Sequence, residues 1–252
     1  MPPVSVTVIT RNAARHIEQT LRSVDWAAER IVVDCGSTDD TVALARPLAT
    51  LVAVRAWDGY GAQKNHAASL AAHDWILSLD ADEVVSDPLR DAIAGLGADP
   101  SAAACRMPRV TWYLGRWIRS TDWYPDRSTR LYDRRRARWD DRPVHEALVV
   151  DGEVGDLHGE IEHRPYADVA DHLARINHYT TLAAAQMDAE RRGVRAWHLP
   201  VQPIAAFLRN YLARGGYRDG VPGLVVSLLG GVYVLLKYVK LWERRHSGRH
   251  AP

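Results

Sequence analysis

"WILSLDADEVV", residues 75–85, is a short apolar run that stops on Asp80, Asp82 and Glu83, with no basic residue beside them. A buried strand ending on so much negative charge has two readings: the cluster is a solvated turn, or it faces something positive. The run is bounded by polar residues and is of strand length, which predicts a strand over 75–79. Along a strand, side chains two apart point the same way, so Asp80 and Asp82 are expected to project together while Ala81 faces opposite.

Upstream, similar runs recur at helix-length intervals. "VSVTVIT" (4–10) is rich in β-branched residues, and "HIEQTLRSV" (16–24) brings Ile17, Leu21 and Val24 to one helical face. "RIVVDCGSTDD" (30–40) predicts a second strand ending in Asp34, with a turn leading into the helix "TVALARPLA". "LVAVRAW" (51–57) predicts a third strand and "GAQKNHAASLAA" (61–72) a helix. Strands separated by helices predict an α/β fold with a mostly parallel sheet flanked by helices on both faces. In such sheets ligands bind beyond the carboxyl ends of the strands. Three polar groups fall there: Thr10-Arg11-Asn12, then Asp34 with Ser37, Thr38 and Asp39, then the acidic cluster.

At 252 residues the chain is long enough for one large domain or a domain with an appendage, and its net charge of +1 argues against a general nucleic-acid binder. Cys35 and Cys105 lack a CxxC spacing, and no secretory signal precedes the first strand, so a reduced, cytoplasmic setting is expected. Nine Trp and ten Tyr stand against one Phe; amphipathic aromatics suit membrane interfaces and sugar-binding clefts. After about residue 100 the composition changes, with aromatics, arginines and aspartates mixed over 112–146. From Tyr166 onward helices are predicted over 167–191, 203–214 and 223–245.

Two carboxylates held together repel unless a cation or a proton intervenes. Mg²⁺ or Mn²⁺ prefers oxygen ligands and is commonly held by one or two carboxylates plus substrate phosphates. A D-x-D alone is too short to decide between a metal site and a soluble turn, but its place at a strand end, beside a second strand ending in Asp34, favours the metal.

"VSVTVITRNAARHIEQTLRSV", "IVVDCGSTDDT", "GAQKNHA" and "WILSLDADE" resemble, in order and spacing, the successive signatures of the family 2 glycosyltransferases, which have the Rossmann-like GT-A fold. "WYPDRSTRLYDRR", "VHEAL" and "KYVKLWE" resemble a bacterial branch of lipopolysaccharide core glucosyltransferases. The resemblance implies a catalytic nucleotide-sugar-binding domain over 1–165 and a helical region over 166–252. It implies that Thr10, Arg11, Asn12 and Asp34 hold the nucleoside of a UDP-sugar, with Asp34 on the base, unless Asp34 is only the N-cap of the following helix. Lys64 would face the nucleotide or be an ordinary surface lysine. Asp80 would contact ribose or metal, and Asp82 would be the main ligand of Mg²⁺ or Mn²⁺. An inverting transfer needs a base for the acceptor hydroxyl; the resemblance points to Glu146 with His145 nearby. Asp122, Asp126, Asp140 and Asp141 remain rivals, and the alternative reading of Glu146 is a structural pair with one of the nearby arginines. Arg127, Arg130 and Arg134–Arg136 are candidates for phosphate, and Trp112, Trp117, Trp123 and Tyr124 for an acceptor sugar.

The expected reaction is transfer of a hexose, glucose by resemblance, to a glycolipid or oligosaccharide acceptor. A nucleotidyltransferase and a non-catalytic, membrane-associated nucleotide-binding module are the alternatives; "TRNAAR" lacks the glycine-rich phosphate loop of the former. The uncharged run 223–236, followed by Lys237, Lys240, Arg244 and Arg245, is shorter than a membrane span and reads as an interfacial helix on the inner face of the cell membrane, or as a buried terminal helix.

Overall fold

The computed structural model describes residues 2–98, 100–140, 142 and 146–246. Within them lie β1 (Val4–Thr10), α1 (Ile17–Arg22), β2 (Glu29–Asp34), α2 (Thr41–Ala45), β3 (Leu51–Val54), α3 (Tyr60–Ser69), β4 (Trp75–Asp80), β5 (Glu83–Val85), α4 (Asp87–Ala94) and β6 (Ala104–Tyr113). These are followed by β7 (Arg116–Ile118), β8 (Asp126–Asp133), β9 (Ala137–Trp139), β10 (Leu148–Val150), β11 (Val154–Asp156), β12 (Ile161–His163), α5 (Val169–Ala189), α6 (His198–Leu208) and α7 (Gly220–His246). The chain forms two compact units, one comprising residues up to Arg109 together with Asp126–His163, the other Val110–Pro125 together with the chain from Arg164 on.

In the first unit every residue of β1 is buried, because both faces of the sheet are covered. Val4, Val6 and Val8 pack with Ile17 and Leu21 of α1 and Leu89 and Ile93 of α4. Ile9 belongs to the opposite face, with Ile31, Val33 and Ala67 and Ala68 of α3. Fully burying one such aliphatic side chain is worth about 1.5–3 kcal/mol. The sheet order is β3-β2-β1-β4-β8-β6-β12-β5. β3, β2, β1 and β4 are parallel, as expected, and β8 then joins β4 antiparallel.

β4 ends at Asp80, Ala81 and Asp82 make a turn, and β5 begins at Glu83. The strand alternation expected to align Asp80 with Asp82 therefore does not reach Asp82. β5 pairs antiparallel with β12, Glu83 opposite His163. That register brings the acidic corner beside a residue 81 positions from Asp82.

In the second unit α5 and α6 both pack on α7. α7 is longer than the uncharged run suggested, 27 residues, because Lys237 and Lys240 continue the helix. Among the described residues, Gly216–His246 is long and apolar enough to cross a membrane by length and composition. Polar ties nonetheless hold α7 to α5: Lys240 Nζ donates to the Asn177 carbonyl at 2.6 Å and to the Thr180 hydroxyl at 2.8 Å, and Arg245 pairs with Asp188 at 2.9 Å. Gly223 permits the tight approach at the helix start, since a Cβ there would lie 2.0 Å from the Gly216 carbonyl oxygen.

Candidate active site

The ends of β1 and β2 are stitched together by short polar side chains. Asn12, left-handed at φ 52°, accepts from the Thr38 amide at 2.8 Å, while its own amide donates to Ser37 Oγ at 2.8 Å. Asp34 is buried, and its Oδ2 accepts from the Gly36 and Ser37 amides at 3.0 and 2.9 Å, while Oδ1 accepts from the Ser37 hydroxyl. Gly36, at φ +84°, supplies the backbone this turn requires. Asp34 thus folds its own turn and is not the cap of α2, which Asp40 precedes. Ser37 links the two loops and does not cap that helix. Thr10 is buried, and its hydroxyl has no hydrogen-bond partner among the described residues; Arg11 is exposed at the same strand end.

At the end of β4 a net of charges replaces the bare carboxylates that the sequence suggests. Arg130, from β8, donates through Nη2 to Asp80 Oδ2 at 2.8 Å and to Glu83 Oε1 at 2.9 Å. Arg109 reaches the same Glu83 oxygen at 3.1 Å and pairs with Asp126. Glu83 is fully buried, and its Oε2 accepts from the Asp80 amide at 2.9 Å, closing the turn. Burial opposes ionisation of Asp80, but Arg130 and Lys64 together outweigh it and hold its carboxyl well below the usual carboxylate range. Burial works against the Arg130 cation, but the carboxylates of Asp80 and Glu83 outweigh it and raise Arg130 above an ordinary arginine.

Lys64 is not a surface lysine: α3 buries it to 3 % exposure. Its ammonium lies 2.8 Å from Glu146 Oε1 and 3.4 Å from Asp80 Oδ1, and 4.5 Å above the Trp139 ring. Glu146 is therefore paired with a lysine, not with an arginine, and its Oε2 has no partner among the described residues. His145 and Asp141 lie outside the described residues.

Asp82 has one ionisable partner among the described residues, His163, whose Nε2 lies 3.5 Å from its Oδ2. Desolvation works against the Asp82 anion, and His163 more than compensates, so its pKa is lowered. Around the corner five carboxylates (Asp80, Asp82, Glu83, Asp126 and Glu146) meet three permanent cations (Lys64, Arg109 and Arg130). Of the two excess negative charges, one is shared among the four carboxylates that the three cations serve, and the other is Asp82, which meets none of those cations. The Asp82 carboxylate suits Mg²⁺ or Mn²⁺ completed by water and phosphate oxygens, while the imidazole nitrogen beside it is a softer ligand than these ions usually take. No cluster of three protein donors exists among the described residues, so the protein offers an incomplete shell that a diphosphate would finish.

The remaining candidates have local partners. Asp140 accepts from the Ala147 amide at 3.0 Å and pairs with Arg142. Asp122 accepts from Asn210 at 3.1 Å in the second unit. Arg127 pairs with Asp156, and Arg134 donates to the Ala68 and Ala71 carbonyls at the end of α3, at 2.9 and 2.7 Å. Arg135 pairs with Asp133 and Arg136 binds the Asp151 carbonyl. Trp112 and Trp117 face each other across the β6–β7 hairpin, and Trp123 stacks on Tyr166; Tyr124 lies under Arg119. Sequence reasoning missed His163, Arg109 and the anchoring role of Glu83. No local motif marks His163; only the register between β5 and β12 brings it to Asp82.

The sequence profile described as Glycosyl transferase family 2 matches residues 5–149. A lipopolysaccharide core biosynthesis glycosyltransferase, LpsC of Rhizobium meliloti (strain 1021), is 29% identical over 96% of this chain and 93% of its own length. An uncharacterized glycosyltransferase of Rickettsia felis is also 29% identical, over 96% of this chain and 90% of that one. Among solved structures, the mannosyltransferase PcManGT of Pyrobaculum calidifontis, in complex with GDP-Man and Mn²⁺, superposes with a TM-score of 0.56 at 19% identity, over 97% of this chain and 88% of that chain. S. aureus TarS 1-349 in complex with UDP gives 0.50 at 14% identity, over 98% and 92%. At these identities the two structures establish the fold, a mixed α/β GT-A arrangement with a helical C-terminal region.

Proposed function

Because the chain belongs to glycosyl transferase family 2, we propose that it moves a hexose, glucose first among candidates, from a UDP-sugar to a glycolipid acceptor of the lipopolysaccharide core type, inverting the anomeric centre. The observation that carries this reading is the corner after β4. Asp80 is neutralised by Arg130 and Lys64, whereas Asp82 retains an excess negative charge beside His163. The relationship to LpsC supports the acceptor class, and the nucleotides held by PcManGT and TarS are in keeping with a nucleotide-sugar donor.

In this reading Asp82 and His163 hold Mg²⁺ or Mn²⁺ together with diphosphate oxygens. Bound there, the ion supplies Lewis-acid stabilisation of the departing nucleoside diphosphate. Asp80, fixed by Arg130, is oriented toward the ribose. Thr10, Arg11, Asn12 and the turn at Asp34 border the nucleoside; three donors already occupy the Asp34 carboxylate, leaving about one lone-pair site for the base. Glu146 takes the proton of the acceptor hydroxyl as that oxygen attacks the anomeric carbon and the bond to the diphosphate breaks. Lys64 holds one Glu146 oxygen and leaves Oε2 to receive the proton. His145 is its neighbour in sequence and is retained as a candidate in the same step.

The helical unit attaches the protein peripherally to the inner face of the cell membrane. The ties from Lys240 and Arg245 to α5 support α7 lying within its unit instead of crossing alone. Two variants test the chemistry. Asp82→Ala is expected to abolish metal-dependent UDP release from UDP-hexoses and to weaken UDP binding, while Glu146→Gln is expected to keep UDP binding and lower turnover by about 10²–10⁴-fold. Full turnover in Glu146→Gln would move the base elsewhere, and UDP binding without turnover in the unaltered chain would favour a non-catalytic module.

A further inference from the structure

The second unit contains a cavity of about 380 Å³ with a composition unlike a structural void. It is lined by residues of α5, α6 and α7 and by the 122–123 segment. Its walls include Trp123, Tyr166 and Tyr233, and three cations, Arg175, Arg209 and Lys237, face one carboxylate, Asp122. Asp122 is already committed to the Asn210 amide, and Arg175 pairs with Asp171 at 3.3 Å. Arg209 and Lys237 have no carboxylate in ion-pair distance among the described residues. Lys237 lies 5.9 and 5.5 Å from the ring centres of Tyr233 and Tyr238; burial first, then Arg192 and Arg209, depress its pKa. Asn210, 1 % exposed, lines the same space with its Oδ1 unpartnered among the described residues, an acceptor short of the donor that a ligand hydroxyl supplies.

α6, which Arg209 directly follows, and its two flanks also present an apolar stripe outward. Trp197, Val201, Ile204, Leu208 and Leu212 recur at helical spacing and are 44 to 59 % exposed. A cationic cavity with aromatic walls, bordered by an exposed apolar stripe, has two halves that one amphipathic molecule satisfies. We propose that this cavity binds the phosphate- and hydroxyl-bearing headgroup of an anionic lipid, whose acyl part leaves along the α6 stripe. The assignment deepens the glycolipid-acceptor reading above and rests on it, since a lipid held here is an acceptor, or the anchor of one.

The test is calorimetry on the full chain with dioctanoyl phosphatidylglycerol, dioctanoylglycerol and glycerol 3-phosphate, each below any micelle concentration, and with UDP plus Mn²⁺ in parallel. Phosphatidylglycerol is expected to bind, with affinity lowered at least about tenfold in Arg209→Gln/Lys237→Gln, the scale of a charge-assisted hydrogen bond. Leu229→Trp, which fills the cavity without altering charge, is expected to abolish binding with the melting temperature retained. Equal binding of dioctanoylglycerol, equal binding of glycerol 3-phosphate, or binding unchanged in both variants would overturn the proposal. UDP binding is expected to be unchanged in both variants. If the unaltered chain binds phosphatidylglycerol and not UDP, the transferase reading fails and the lipid site stands.

Discussion

Glu83→Gln removes one negative charge from the centre of the net while keeping the side chain's shape. The fully buried carboxylate of Glu83 serves Arg130 at 2.9 Å, Arg109 at 3.1 Å and the Asp80 amide at 2.9 Å. An amide oxygen can still accept from Asp80, but Arg130, itself 5 % exposed, is left with Asp80 alone. Breaking a buried ion pair by removing one partner costs about 3–5 kcal/mol, because the other charge stays desolvated. Against a total stability of about 5–15 kcal/mol this is a large fraction. At about 2–4 °C per kcal/mol for 150–250 residues, the melting transition should fall by roughly 6–20 °C. Thermal melts followed by circular dichroism, with and without UDP and Mn²⁺, measure it. UDP affinity should fall too, since Arg130, which holds Asp80 in place, loses its second carboxylate. A shift below about 2 °C with UDP affinity intact would refute the view that Glu83 anchors the corner.

His163→Ala should lower Mn²⁺-dependent UDP affinity by about 10–100-fold, the usual cost of a lost partner at a metal site, and calorimetry with and without Mn²⁺ reads it. His172 is buried, with Nδ1 2.8 Å from the Tyr113 hydroxyl, and burial pulls its pKa from 6.5 down to about 4 despite Asp171. The unfolded chain therefore binds this proton first, so the contribution to stability is complete above pH 6.5 and is lost as pH falls toward 4, by at most about 3 kcal/mol. His172→Gln should flatten that part of the pH–stability curve measured by urea denaturation. Val201→Glu/Ile204→Glu/Leu208→Glu, on the exposed α6 stripe, should shift the protein from the membrane to the soluble fraction with its melting temperature unchanged.

The parallel half of the sheet, the α/β class and the polar strand ends were legible in residues 4–80 because each strand there is a continuous apolar run of local sequence, with β1 and most of β4 buried on both faces. The acidic corner was legible as a place, since charge at the end of an apolar run is a feature of sequence alone. The strands between residues 104 and 163 were not, because most are three residues long and exist by pairing with distant segments. Which carboxylate is neutralised was equally hidden. Arg130 comes to Asp80 across 50 positions, Lys64 to Glu146 across 82, and His163 to Asp82 across the β5–β12 register. The composition of the chain determined that acidic groups would gather at the strand ends; only the fold decided that Asp80 would be paired and Asp82 left in negative excess, because Coulomb energy depends on distance in space and on burial, neither of which follows from order along the chain.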